Sequence, residues 1–373
     1  MIYLDEAATT PLSREVLEAM WPYLSTEYGN PSSHHEVGDA ARQALERARA
    51  DVAEVLGAKA SEITFTSGGT ESDNAAIKGI ALAAPRGKHV IVSAVEHPAV
   101  LESAEWLGRL GYEITVLDVD HEGIVAPEAL ETAIRADTTL VSIQYANNEV
   151  GTIQPIAELA AIAGDTPFHT DAVQAAGWLD LDVGRLGIQA MSISGHKLGG
   201  PKGIGVLYVQ RRTRWEPLIH GGGQESGRRS GTENVASAVG MSTALRSAGG
   251  SPTATIAKRD DFIREVLETV PGARLTGHPT QRLPGSASFV FPGTSGEAIL
   301  VELESRGIVV SSGSACAAGS DEPSHVLTAM GYDPETAQTA VRFTFGRATR
   351  PADLSTAAAD LVRAVAAVTG IGA

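Results

Sequence analysis

A chain of 373 residues, 43% hydrophobic and 20% charged, is long enough for one large domain or two and has the composition of an ordinary globular protein, which excludes a disordered chain. Its 29 Lys and Arg against 45 Asp and Glu leave a formal charge of −16, which repels phosphate backbones and argues against direct nucleic-acid binding. A single cysteine excludes intrachain disulfides and multi-cysteine metal sites; no metal is expected. The N-terminus MIYLDEAATTP lacks a signal-peptide pattern and no apolar run nears the ~20 residues of a membrane span, so a cytoplasmic protein without a membrane partner is expected.

From the N-terminus, residues 1–13 are polar and extended, and Ser13 is placed to cap an amphipathic helix running through Met20. After GNPSSHH, the residues Ala41, Leu45, Ala48, Val52 and Val55 fall at helical spacing, which predicts a helix over 40–56 ending at Gly57. Short apolar strands then alternate with helices at 63–66, 90–93, 114–117, 140–144, 168–170, 191–194 and 206–209. Such alternation predicts an α/β fold with a mainly parallel seven-stranded sheet flanked by helices. The run SAGGSPTAT at 247–255 is small, polar and rich in turn formers, and it marks a boundary. The expected division is a large domain over 14–253 and a smaller α+β domain formed by 254–373 together with 1–13. In the smaller unit, strands are predicted near 286–291 and 341–344 and helices near 296–306 and 352–368.

Ligands of open α/β sheets bind beyond the carboxyl ends of the strands, so the residues just after each strand matter most. The stretch AMSISGHKLGGPKGIGVLYV (190–209) reads as strand, glycine-crowded turn and strand, with Lys197 in the turn. A surface lysine fits that pattern, and so does a Schiff-base lysine whose amine is made nucleophilic by desolvation. After 63–66 comes SGGTESDN, where Gly68 and Gly69 permit close backbone approach and Thr70 opens a helix; it reads as a phosphate cup or a plain capped turn. His97 follows the next strand and suits ring stacking, proton handling or an ordinary loop. Asn148 follows another, as a ligand contact or a turn residue. Asp171 ends an apolar strand, where a buried carboxylate requires a cationic partner. A pyridinium nitrogen at one end of a cofactor and an imine at the other would satisfy Asp171 and Lys197 together. The loop 220–234, HGGGQESGRRSGTEN, is either a flexible surface loop or a second phosphate contact. Cys316 lies among small residues between Gly313 and Gly319, a setting for a reactive thiol rather than a packed one. Pro323 begins a helix that ends at Gly331, and Arg342, in an otherwise apolar strand, calls for a carboxylate that a substrate would supply.

These motifs in this order resemble the NifS/IscS-like cysteine desulfurases, pyridoxal-phosphate enzymes of the class V aminotransferase group with fold type I. The likeness runs nearly end to end through YLDEAATTP (3–11), TSGGTESDN (66–74), EHPAVL (96–101), NNEVGTIQPI (147–156), HTDAVQ (169–174), SGHKLGGPKGIG (194–205), GGGQESGRRSGT (221–232), SSGSAC (311–316) and VRFTFGR (341–347). The resemblance implies pyridoxal 5'-phosphate on Lys197. Gly69, Thr70, Ser194 and His196 would surround the phosphate, and Thr232 would reach it from the partner subunit of a homodimer. Asp171 would meet the pyridine nitrogen, Gln174 the ring oxygen and His97 the ring face. Asn148 and Arg342 would take the substrate carboxylate, and Cys316 would be the nucleophile. SSGSAC is similar to the IscS-type group rather than the SufS-type, while Ser226 stands where many relatives have arginine, a departure that bears on the sulfur acceptor.

The reaction this implies converts L-cysteine to L-alanine and leaves sulfur as a persulfide on Cys316. An acceptor protein, an iron–sulfur scaffold or a tRNA-thiolation enzyme, would then take it. A free thiol titrates near ~8.5, so Cys316 needs a nearby base or relay, and His97 is the candidate. The competing readings are another class V enzyme, such as a selenocysteine lyase or aminotransferase, and an idle sulfur-relay protein.

Overall fold

Runs of valine and isoleucine too short for helices build the central sheet, because β-branched side chains suit a pleated surface buried on both faces. The computed structural model describes residues 1–83, 86–312 and 322–371. After β1 (Ile2–Tyr3), which lies apart, the sheet takes β2 (Ile63–Thr66), β3 (His89–Ser93), β4 (Glu113–Leu117), β5 (Thr138–Ser142), β6 (Phe168–Asp171), β7 (Ala190–Ser194) and β8 (Gly205–Val209). Their order is β2-β8-β7-β6-β5-β3-β4; β8 runs against both neighbours and the other pairs are parallel. The seven-stranded, mainly parallel α/β sheet expected from the sequence is therefore present.

Alternation along the strands splits the core between the two faces. Val90, Val92, Leu140, Leu207 and Val209 pack with Ala76, Ile77 and Ile80 of the helix Gly69–Ala83 and with Val100 and Leu107 of the helix Pro98–Arg109. Ile91, Val141, Met191, Ile193, Val206 and Tyr208 face the other way. There they meet Leu45 and Val52 of the helix Glu36–Val55, Leu159 of Ile156–Ala163 and Met241 of Val235–Ser247.

The C-terminal part is built on β9 (Arg274–Leu275), β10 (Ser286–Val290), β11 (Ile308–Val309) and β12 (Val341–Thr344). β12, β10 and β9 form an antiparallel sheet, and β1 pairs in parallel with β11. Edge-on contacts of Phe262 with Phe289, Phe343 and Phe345, with centroids 5.2 to 6.3 Å apart, fill the space under the helices Thr253–Thr269, Gly296–Ser305 and Pro351–Ile371. From β1 the chain bridges Asp5 to Thr344 and then reaches the turn after β7, where the Thr10 N–H donates to the His196 carbonyl at 2.8 Å. That crossing carries the N-terminal segment from the small sheet to the Lys197 turn.

Some boundaries differ from expectation for local reasons. The helix expected over 40–56 begins at Glu36, because His35 Nδ1 accepts the Gly38 N–H at 3.2 Å and so acts as an N-cap of unusual type. The first helix, capped by Ser13 as expected, continues through Pro22 to Ser25. The helix expected to start at Pro323 spans His325–Ala329, with Ser324 as its cap and Gly331 just beyond at φ +90°. Among the described residues no helix is long and apolar enough to cross a membrane.

Candidate active site

The carboxyl ends of β2, β3, β5, β6 and β7 open on one cavity of about 330 Å³, within the ~300–1,000 Å³ usual for small-molecule sites. Its lining includes Gly69, Thr70, His97, Asn148, Asp171, Gln174, Ser194, His196, Lys197 and Arg342, so all but two of the residues singled out from the sequence meet there. Thr232 sits exposed on the loop 220–234, outside this lining, and Cys316 lies outside the described residues. Asp73, Gln144 and the Ala7–Ala8 backbone complete the wall. The sequence reading gave them no role, although Asp73 lies within TSGGTESDN, Ala7 and Ala8 within YLDEAATTP, and Gln144 ends the strand expected over 140–144.

At the β2 exit a Cβ on Gly69 would stand 2.8 Å from Val173 Cγ2, and one on Gly205 would stand 2.6 Å from the Gly68 backbone. Only glycine lets β8 pass this close to the cup. The helix Gly69–Ala83 starts there with its first N–H groups free of intrahelical partners, beside Ser194 and His196. The loop 220–234 is pinned rather than loose. Glu225 takes a bidentate bond from buried Arg49 at 2.6 and 2.9 Å, and Arg229 pairs with Glu71 of the cup helix at 2.9 Å.

Lys197 follows β7 on the single turn Gly195–Lys197, and its Nζ donates to the carbonyls of Ala7 and, at 2.7 Å, Ala8. Gln174 Nε2 also donates to Ala7 O, at 3.0 Å. A second cavity of about 440 Å³ shares Lys197, Asn148 and Gln174 and opens between the N-terminal segment and residues 344–348. The carboxylate that Arg342 calls for is found within the chain: Nη2 donates to Asp5 Oδ1 at 2.8 Å and Nη1 to the Asn148 carbonyl at 2.9 Å. The guanidinium still faces the cavity, held in one orientation.

Burial dominates the electrostatics. It pushes the Asp171 carboxyl up, against the pull of His97, of the Val173 N–H donated at 2.8 Å and of Lys197. It also raises Asp73, fully buried with Asp171 as a neighbouring like charge. Behind them His169, bonded to Ser142 and Ser192 at 2.8 and 2.9 Å, is lowered by burial to about 3 and stays neutral. His196 is lowered to about 4 by burial and by Lys197 and Lys202. His97 is lowered by burial first, with Lys197 and His325 adding to the effect against Asp171. Its Nδ1 accepts the Ala99 N–H at 3.1 Å, capping the helix Pro98–Arg109, so the ring proton of the neutral imidazole belongs on Nε2.

Glu96, just before His97, is pushed up to about 8 by burial, although the Ser93 hydroxyl and the Gln144 N–H both donate to it. Between about 4.5 and 8 the folded chain holds a proton there that the unfolded chain has lost, so this group's contribution to stability falls as pH rises through that window. Glu96→Gln should therefore gain on wild type in melting temperature from pH 5 to 8 and hold a constant lead above. A difference independent of pH would show that the carboxyl is ionised throughout.

The residues present fit pyridoxal 5'-phosphate. A phosphate suits the free N–H groups of the cup, a protonated ring nitrogen suits the carboxylate of buried Asp171, and an aldehyde falls to the one lysine of the wall. A mainly parallel sheet with this set at its strand exits defines a pyridoxal-phosphate enzyme of fold type I. The chain belongs to the aminotransferase class-V family, whose model matches residues 2–356. It is 51% identical over 361 residues to the cysteine desulfurase IscS of Dictyoglomus turgidum, covering 95% of this chain and 92% of that protein. The cysteine desulfurase IscS of Methanosarcina thermophila is 49% identical over 352 residues, 93% of this chain and 87% of that one. Among solved structures, a NifS-like protein superposes with a TM-score of 0.91 at 36% identity, covering 98% and 99% of the two chains. SspA in complex with cysteine gives 0.83 at 38% identity over 92% and 99%.

Proposed function

We propose that this chain is a cysteine desulfurase that takes the sulfur of L-cysteine onto Cys316 as a persulfide and releases L-alanine. The observation that carries the reading is the convergence of Lys197, Asp171, His97 and Arg342 on one cavity, in a chain whose single thiol is Cys316. Likeness to relatives named cysteine desulfurase over more than nine-tenths of the chain supports it.

When bound, pyridoxal phosphate supplies an electron sink for the substrate's α-carbon. Lys197 Nζ would hold it, Asp171 would keep its ring nitrogen protonated, Gln174 would face its ring oxygen and the His97 ring would lie against it. Gly69, Thr70, Ser194 and His196 would surround the phosphate. Arg342, oriented by Asp5, brings positive charge to the substrate carboxylate, with Asn148 beside it. The Lys197 amine, near two backbone carbonyls, takes the α-proton. The Cys316 thiolate then attacks the substrate sulfur, an S–S bond forms, the C–S bond breaks and its electron pair stays on carbon. One proton leaves the Cys316 thiol and one arrives at the methyl group of alanine, and Lys197 returns the α-proton to the α-carbon, so the reaction balances without an external oxidant. With Nδ1 accepting the Ala99 N–H, the neutral His97 ring carries its one proton at Nε2; it takes up a proton only as the Ala99 bond opens and Nδ1 accepts, which makes it a relay rather than a simple base.

The assembly in this reading is a homodimer, the usual form for a soluble oligomer, in which Thr232 completes the phosphate site of the other subunit. An active monomer in light scattering would remove that part. The division into 14–253 and 254–373 with 1–13, the cytoplasmic location and an iron–sulfur scaffold or tRNA-thiolation enzyme as acceptor belong to the same reading. The deciding experiment incubates the protein with L-cysteine and looks for alanine together with one added sulfur on the peptide bearing Cys316. Alanine without that mass gain would refute the persulfide route.

A further inference from the structure

We infer that Glu149 and His325 are positioning residues for sulfur transfer, fixing the chain on the C-terminal side of Cys316 to the backbone that carries His97 and Asn148. The inference rests on Cys316 being the sulfur-accepting thiol. Ser324 is the cap of the helix His325–Ala329; its Oγ accepts the Leu327 N–H at 3.2 Å and donates to Glu149 Oε2 at 2.5 Å. Glu149 is 5% exposed and follows Asn148 directly, and its own N–H donates to Asn147 Oδ1 at 2.8 Å. Asn147 Nδ2 in turn donates to the Val95 carbonyl at 3.0 Å. One residue beyond Ser324, His325 Nε2 lies 2.9 Å from the Glu96 carbonyl, and because a carbonyl only accepts, the imidazole donates.

Each of these bonds ends beside a residue of the cavity. Glu149 adjoins Asn148, and the Glu96 carbonyl belongs to the peptide unit that leads into His97. On the other side of Cys316, Ser311 exchanges backbone bonds with Arg342, at 2.7 Å from the Arg342 N–H and 3.3 Å from the Ser311 N–H. The described residues flanking the thiol segment are thus docked beside the three residues assigned to substrate and ring: on the Arg342 backbone before it, and next to Asn148 and His97, at Glu149 and the Glu96 carbonyl, after it. A buried carboxylate held for a serine hydroxyl, and a histidine spent on a backbone carbonyl, are strong anchors for a stem of so few residues. Misplacement of a reacting group by about 1 Å costs on the order of a hundredfold in rate, so such anchors act on transfer without touching the substrate.

The test uses the cofactor-loaded enzyme with L-cysteine in stopped flow, reading the first absorbance change, which needs no thiol, and the single-turnover yield of persulfide. Glu149→Ala and His325→Ala should leave the first step within about twofold of wild type and slow persulfide formation by about tenfold or more. Glu149→Gln keeps an acceptor for Ser324 and His325→Gln keeps a donor for the Glu96 carbonyl, so both should recover most of the rate. Loss of cofactor content or melting temperature in parallel with transfer would make the role merely structural and overturn the proposal. Persulfide formation at the wild-type rate in both alanine variants would overturn it as well. Cys316→Ser in the same assay separates the layers: if it makes alanine at the wild-type rate, the underlying assignment of the thiol has failed.

Discussion

Lys197→Ala should abolish the visible absorption of the cofactor and reduce turnover of L-cysteine by about a thousandfold or more, because one side chain both holds the cofactor and moves the α-proton. The structure narrows the choice of lysine. Lys197 is the lysine in the lining, and the carbonyls of Ala7 and Ala8 draw its amine toward the N-terminal segment. Its charge also reaches Asp171 on the neighbouring strand exit. Lys78 lies over the Trp106 ring at 4.8 Å, and Lys202 is outside the wall. Borohydride reduction of the wild-type protein should place the pyridoxyl mass on Lys197. In the variant, water can take over the bonds to the two carbonyls, so far-UV circular dichroism should be unchanged. A pyridoxyl label on Lys78 or Lys202, or an alanine variant that keeps its colour, would overturn the assignment.

What the sequence disclosed about this site follows a physical division. Lys197, Asp171, His97 and the glycine cup were legible because each stands at or just after the end of a strand, and a parallel sheet brings all such positions to one edge. Arg342 was legible as an ion lacking a partner, but not its partner Asp5, since a contact across 337 residues leaves no local pattern. The same holds for Glu149 with Ser324 and for His325 with the Glu96 carbonyl: each looks like an ordinary turn or helix residue until the small sheet is docked. Two-residue strands such as β1, β9 and β11 are too short for a period-two signal and exist through their pairing alone. At the start of the helix Glu36–Val55, histidine capping misled the reading by four residues, because a ring nitrogen does a task that Ser, Thr, Asp or Asn usually advertises.

Cys316→Ser should separate substrate binding from sulfur removal. The residues assigned to the cofactor lie at the strand exits of the large sheet, with Thr232 on the loop 220–234, and those assigned to the carboxylate on the β5 exit and β12, none of them in the thiol segment, so cofactor loading and the first absorbance change with cysteine should match wild type. Persulfide formation should vanish, since a serine oxygen cannot take the sulfur and the chain has no second cysteine to substitute. Alanine and sulfide output should fall by about a hundredfold or more, a loss expected when an activated nucleophile is removed. The pH response of the wild type sharpens the argument. A thiol near ~8.5 is mostly protonated at neutrality, whereas burial lowers His97 and keeps its imidazole neutral there, so the relay is set while the thiol is the group still waiting to lose a proton. The single-turnover transfer rate should accordingly climb from pH 7 to about 8.5 as the thiolate fraction grows, while the first absorbance change stays flatter. Undiminished sulfide release by Cys316→Ser would end the persulfide mechanism, and a transfer rate that falls over that interval would mean the thiol is already ionised and a group that must stay protonated limits the step.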